Sequence, residues 1–173
     1  MLKPHGKDLR KGRVSLDGQI YLVTSVTLDR KPYFADFRWG RVLVRTMQHH
    51  AEIGDVESLA FVVMPDHFHW LFALMGQCSL SELIGRVKGA AAYQINHLHE
   101  GAFSGMIASH TIADEAAPTM RLGRVWQKGF HDRALRRDED LRSVARYMVM
   151  NPVRAGIVQR IWYYPLWDAV WVE

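Results

Sequence analysis

The chain has 173 residues, of which 49% are hydrophobic and 23% charged, with a formal charge of +4 and one cysteine, Cys78. A chain of this length can bury a sizeable core unaided. The mix excludes global disorder, and the lone cysteine excludes an intramolecular disulfide and any cysteine-cluster metal site. No run of about 18 apolar residues predicts a membrane span, and the basic N-terminus lacks the apolar stretch of a secretory leader, so a cytoplasmic protein is expected.

Residues 1–13 carry Lys3, Lys7, Arg10, Lys11 and Arg13 against Asp8 alone. Residues 20–27 (IYLVTSVT) are rich in β-branched and aromatic residues and predict a strand. A short helix is predicted over 36–50, with Phe37, Val42, Val44 and Met47 as core contacts. Residues 57–64 (ESLAFVVM) and 67–74 (HFHWLFAL) predict two strands, and the intervening Pro65-Asp66 joins them as an antiparallel hairpin. A helix over 79–98 opens with Ser79 and Glu82 as a capping box. Leu80, Leu83, Ile84, Val87, Ala91, Ile95 and Leu98 follow at helical spacing.

Residues 100–120 lose this periodicity and fill with Gly, Ala and Ser, which predicts a surface loop. Residues 125–135 predict a further strand. They lie within 121–137, a second basic block that sets Arg121, Arg124, Lys128, Arg133, Arg136 and Arg137 against Asp132. A last helix is predicted from Asp138 to Met150, its buried stripe formed by Leu141, Val144, Ala145 and Met148. This order predicts one α+β domain over 1–173, a ferredoxin-like antiparallel sheet with helices packed on one face.

Two constellations carry chemistry. Alternation along a strand puts His67 and His69 on one face, with Phe68 and Trp70 on the other. Two imidazoles so placed can share a divalent cation of the kind phosphoryl chemistry needs, although His-x-His alone is as readily a polar edge-strand pair. Tyr147 and Asn151, four residues apart, fall one turn apart on a helix. The phenol is a candidate nucleophile, and the amide oxygen a candidate third ligand suited to Mg²⁺ or Mn²⁺. Singly, each has a plainer reading: Asn151 before Pro152 as the cap of a new helical turn, Tyr147 as a core aromatic.

Tyr93, near Arg86 and one turn before His97, is a rival nucleophile, but a base-stacking role suits it better. Asp66 is either a turn residue or an orienter of a ligating imidazole. His49, His50, His97, His99 and His110 have no ligand spacing and are expected at the surface. The aromatics Trp162, Tyr163, Tyr164, Trp167 and Trp171 either stack on bases or pack the C-terminal segment onto the domain.

Taken in order, four motifs resemble the REP-associated tyrosine transposases, single-tyrosine members of the HUH nuclease superfamily. They are Met64-Pro65-Asp66-His67-Phe68-His69, Leu80-Ser81-Glu82-Leu83-Ile84 with Lys88-Gly89, Val125 to Asp132, and Arg146 to Gly156 (RYMVMNPVRAG). The resemblance covers about residues 15–168. It implies His67 and His69 as paired metal ligands and Asn151 as the third. It also implies Tyr147 as the nucleophile, leaving a 5′-phosphotyrosine and a free 3′-hydroxyl. The implied substrate is single-stranded DNA bearing a palindromic hairpin beside a short recognition tetranucleotide. Arg86, Lys88, Tyr93, Arg124, Trp126, Lys128, His131, Arg133 and Arg154 are the expected DNA-binding residues. The implied protein is nucleoid-associated through its DNA, and both homodimer and monomer fit. The alternative is a catalytically idle single-stranded nucleic-acid-binding module on the same fold.

Overall fold

In the computed structural model, which describes residues 18–76, 78–107, 123–136 and 139–171, burial alternates strictly along β1 (Ile20–Val26). The chain continues through α1 (Phe37–Glu52), β2 (Val56–Met64), β3 (His67–Leu74), α2 (Leu80–Ile107), β4 (His131–Ala134), α3 (Leu141–Val149), a one-turn α4 (Asn151–Arg154) and β5 (Trp167–Ala169). The sheet order is β4-β1-β3-β2-β5, with every neighbouring pair antiparallel. Its first four strands have the ferredoxin-like order; β5 is added at the free edge of β2.

The β2–β3 hairpin turns at Pro65-Asp66, pairing Met64 with His67. Central β3 buries Phe68, Trp70, Phe72 and Leu74 on one face, beneath α1 and α2. The predicted capping box is present: Ser79 N–H donates to Glu82 Oε2 (2.9 Å), and Glu82 N–H donates to Ser79 Oγ (3.2 Å). α2 runs on through Ile107, so residues 100–107 are helix where a loop was expected. A glycine costs only about 1 kcal/mol in a helix that is already nucleated. The rest of the expected loop and the N-terminal basic block lie outside the described residues.

The strand expected over 125–135 is broken. Trp126 bridges Thr27, the chain bends at Gly129 (φ +82°), and only His131–Ala134 pair with β1. Phe37 is 51% exposed, not a core contact; it shares the side of α1 that buries Gly40 and Val44 but is the first residue of the helix. His50, expected at the surface, is buried with Asp55 against its Nδ1 at 2.7 Å. α3 contacts β2 and β5 on the face opposite α1 and α2, so the helices are not confined to one face.

Gly40 of α1 lies against Leu166, which is buried, and a Cβ at that position would run into the leucine side chain. Gly40→Ala is expected to lower the melting temperature. Overpacking costs about 1–3 kcal/mol, more than the roughly 1 kcal/mol that Ala gains over Gly in a helix. Thermal unfolding checks this; an unchanged or higher melting temperature would mean that Leu166 gives way.

Candidate active site

Cross-strand register assembles the site on the sheet face opposite α1 and α2. His131 on β4, Thr24 on β1, His69 on β3 and Val62 on β2 form one row across the sheet. Trp167 on β5 ends that row. His67 stands two residues from His69 on the same face, and the two rings are edge-to-face with centroids 4.9 Å apart.

Each imidazole is held through Nδ1. For His67 the partner is Asp66 Oδ1 at 2.6 Å, and Arg30 Nη1 donates to the other carboxylate oxygen at 2.9 Å. Burial pushes the Asp66 carboxyl up, but hydrogen bonds from His67 and Arg30 outweigh it, leaving the pKa lowered. Asp66 thus orients an imidazole, one of its two expected roles, while also sitting in the turn. For His69 the partner is Thr24 Oγ1 at 2.7 Å. Burial, reinforced by the charges of His67 and Arg154, lowers the His69 pKa to about 4, so the ring is neutral near pH 7. The sequence concealed Thr24 because strand register alone brings it to His69, and Arg30 because it reaches Asp66 from a short turn after β1, far away in sequence.

Tyr147 and Asn151 do not share a helix. α3 ends at Val149, and α4 opens at Asn151 with Pro152 behind it; the new helical turn expected at the Asn-Pro step is there, but its N-cap residue is Met150, not Asn151. The reason is local. Pro152 has no N–H to give the carbonyl of Met148 four residues back, and Asn151 Nδ2 donates to that carbonyl instead, at 2.8 Å. The amide is thereby oriented with Oδ1 pointing away from Met148. Arg154 then links the two residues, donating to Tyr147 O and to Asn151 Oδ1. Its guanidinium lies 3.8 Å from the centroid of the Tyr147 ring, which is 71% exposed, and its charge acts on His69.

The expected DNA-binding residues divide. Arg86, Arg124, Lys128, His131 and Arg154 are exposed, and so is Tyr93, whose ring stacks on His97 at 3.9 Å. Arg133 is exposed but ion-paired with Glu139. Trp126, one of the expected DNA-binding residues, is instead buried against Phe34 and Phe68, with its indole N–H on Lys88 O at 2.9 Å. Lys88 donates from Nζ to Gln127 O (2.9 Å) and Gly129 O (2.6 Å), clamping the bend before β4 onto α2. Among the aromatics of the C-terminal segment, Tyr164 is buried with its hydroxyl donating to Val63 O at 2.6 Å, whereas Trp162 and Tyr163 are exposed.

Burial, aided by the charge of Arg124, lowers the Lys88 pKa from 10.5 to about 8. Between these values the unfolded chain holds a proton that the folded chain has released, so stability should rise with pH from about 8 to 10.5. Allowing for partial exposure, the gain is on the order of 1–2 kcal/mol. Melting temperatures of the wild type and Lys88→Met across this range check it. A difference between the two proteins that stays constant with pH would contradict the assignment.

Among the described residues no group of three or more His, Cys, Asp or Glu side chains is placed to hold a metal ion, and no helix is long and apolar enough to cross a membrane. Nδ1 of each imidazole is engaged, by Asp66 and by Thr24, which leaves Nε2 as the nitrogen open to a ligand, and the Asn151 amide oxygen, a hard donor, accepts from Arg154.

The family model described as "Transposase IS200 like" matches residues 16–149, a span that contains His67, His69 and Tyr147 and ends just before Asn151. A Haemophilus influenzae protein provisionally named a REP-associated tyrosine transposase is 24% identical over 151 residues, which cover 86% of this chain and 78% of that protein. The solved structure of a REP-associated tyrosine transposase bound to a REP hairpin matches with a TM-score of 0.65 at 20% identity, covering 90% of this chain and 79% of the other. A crystal structure of a provisionally assigned transposase from Deinococcus radiodurans matches with a TM-score of 0.47 at 20% identity, over 87% and 93% of the two chains. The structural likeness at a TM-score of 0.65 establishes a shared fold with the hairpin-bound transposase. With the family pattern running through most of its length, the chain belongs to the IS200-like transposases.

Proposed function

We propose that the protein is a divalent-metal-dependent strand transferase that cuts single-stranded DNA beside a hairpin through a 5′-phosphotyrosine. The observation that supports this best is the held pair of histidines, together with the Arg154 bridge between Tyr147 and Asn151. A base-stacking or phosphate-binding surface needs no such arrangement. The match to a structure bound to a REP hairpin adds hairpin DNA as the expected substrate class.

His67 and His69 would hold Mg²⁺ or Mn²⁺ through Nε2, with Asn151 Oδ1 as the third donor. The ion when bound would neutralise charge on the scissile phosphate. Tyr147 Oη forms the new bond to phosphorus, and the bond from phosphorus to the 3′-oxygen breaks. The phenolic proton passes to solvent, and the departing 3′-oxygen takes one up. The phosphotyrosine conserves the phosphoester bond, so a later attack by a 3′-hydroxyl rejoins strands without a nucleoside triphosphate. Asp66 and Thr24 keep the imidazoles in one tautomer and orientation. Arg154 fixes the Tyr147 ring from above, a cation–π contact worth about 0.5–1 kcal/mol at an exposed position.

The test is incubation of the full chain with a labelled hairpin bearing a single-stranded flank, with Mn²⁺ or with EDTA. A protein–DNA adduct that survives SDS and requires Mn²⁺ is expected. Hairpin binding without any adduct would leave a nucleic-acid-binding module instead.

A further inference from the structure

A cleft of about 310 Å³ lies between α3 and the C-terminal segment. Its walls include Arg142 and Arg146 from α3 and Met150 just after it, with Trp162, Trp167 and Trp171 opposite. That volume is within the range of clefts that hold small ligands, about 300–1,000 Å³. We propose that this cleft binds an unpaired nucleotide of the DNA strand, its base stacked on Trp162 and its phosphate on Arg146 and Arg142. The proposal rests on the DNA-cutting reading above and extends it to a site outside the histidine pair.

Three observations favour this occupant. The first is the chemistry of the walls. Trp162 is 66% exposed, a large apolar ring left in solvent, and it leans on Trp167 with centroids 5.4 Å apart. The Trp167 indole N–H donates to Ile161 O at 3.1 Å, so the platform beneath Trp162 is fixed. An aromatic face backed by a fixed ring suits a base of any sequence.

The second is charge. Arg142 and Arg146 are exposed, and neither makes an ion pair among the described residues. No Asp or Glu lines the cleft among those residues, so its walls complement a phosphate.

The third is position. Arg146 directly precedes Tyr147 on α3, and Trp167 shares the cross-sheet row with His69, separated from it by Val62 alone. A strand seated in the cleft is therefore led over α3 toward the tyrosine and the histidines. Basic and aromatic groups that track a strand in this way are the usual means of binding single-stranded DNA.

The experiment measures dissociation constants by fluorescence anisotropy for a short labelled oligothymidylate and for a duplex of equal length, in EDTA at fixed salt. Trp162→Ala should weaken oligothymidylate binding about fivefold to a hundredfold while leaving duplex binding unchanged, and Trp162→Phe should restore most of the loss. Arg146→Gln should lower the slope of log affinity against log salt by about one phosphate contact. Unchanged oligothymidylate affinity in Trp162→Ala, or an equal loss for duplex, would overturn the proposal. So would a Trp162→Ala protein that loses self-association instead, because the cleft would then seat a second copy of the chain. Binding in EDTA is read without cleavage, so failure here is separable from failure of the strand-transfer reading, which the Tyr147 adduct decides.

Discussion

Tyr147→Phe is expected to fold and to bind hairpin DNA as the wild type does, yet to form no covalent adduct. The substitution removes one hydroxyl from a ring that is 71% exposed, and among the described residues none hydrogen-bonds to that hydroxyl. Arg154 contacts the ring face and the backbone carbonyl of Tyr147, both of which remain in phenylalanine. Binding should persist because affinity for DNA comes mainly from phosphate contacts. Loss of the nucleophile is not a graded effect: without an oxygen to bond to phosphorus, the adduct should vanish. Tyr93→Phe should retain the adduct, since the Tyr93 ring stacks on His97 of its own helix, and that helix carries none of the metal-ligand candidates His67, His69 and Asn151. Mass spectrometry of the trapped peptide separates the two residues. A phosphonucleotide on Tyr93, or an adduct that survives Tyr147→Phe, would remove Tyr147 from the mechanism.

Much of the sheet was legible because burial writes itself into alternation. Alternation from His67 to Trp70, with Pro65-Asp66 between β2 and β3, specified the hairpin and the shared face of His67 and His69, while β-branched and aromatic residues marked 20–27 as a strand. The α2 start was legible because its capping box is a local device. Its end was not, since scattered glycines weaken the pattern without stopping a helix. β5 has three residues, too few to show a period, and is defined by pairing with β2 far away in sequence.

Composition misled where a residue type serves two purposes. Trp126 sits in a basic block and suggests a ring facing DNA, yet it is a core residue between Phe34 and Phe68. Lys88 suggests a phosphate contact, yet two backbone carbonyls engage it. The Asn-Pro step did announce a new helical turn. What spacing alone could not show is that Asn151 takes over the hydrogen bond that Pro152 cannot make, and that Arg154 then reconnects Asn151 with Tyr147.

His69→Ala is expected to reduce cleavage by at least a hundredfold, with hairpin binding within about threefold of the wild type. The loss follows from the several kcal/mol that a bound ion contributes to charge stabilisation, at about 1.4 kcal/mol per tenfold. Binding is spared because the exposed cations, Arg86, Arg124, Lys128 and Arg154, are untouched. Thr24→Val separates holding from coordination: it removes the hydroxyl 2.7 Å from His69 Nδ1 but keeps the imidazole. It should therefore cost roughly tenfold to a hundredfold in metal affinity or activity, and excess Mn²⁺ should recover part of that loss. His69→Ala should not recover at any Mn²⁺ concentration. With only two imidazoles and one amide as donors, the ion should also bind far more tightly when a DNA phosphate can supply further oxygens. Electron paramagnetic resonance of free Mn²⁺ reads this directly: the wild type should take up little Mn²⁺ alone and much more with hairpin DNA, and His69→Ala little in either case. Equal Mn²⁺ uptake and equal cleavage by wild type and His69→Ala would remove the histidine pair from the chemistry and leave Arg154 as the charge nearest Tyr147.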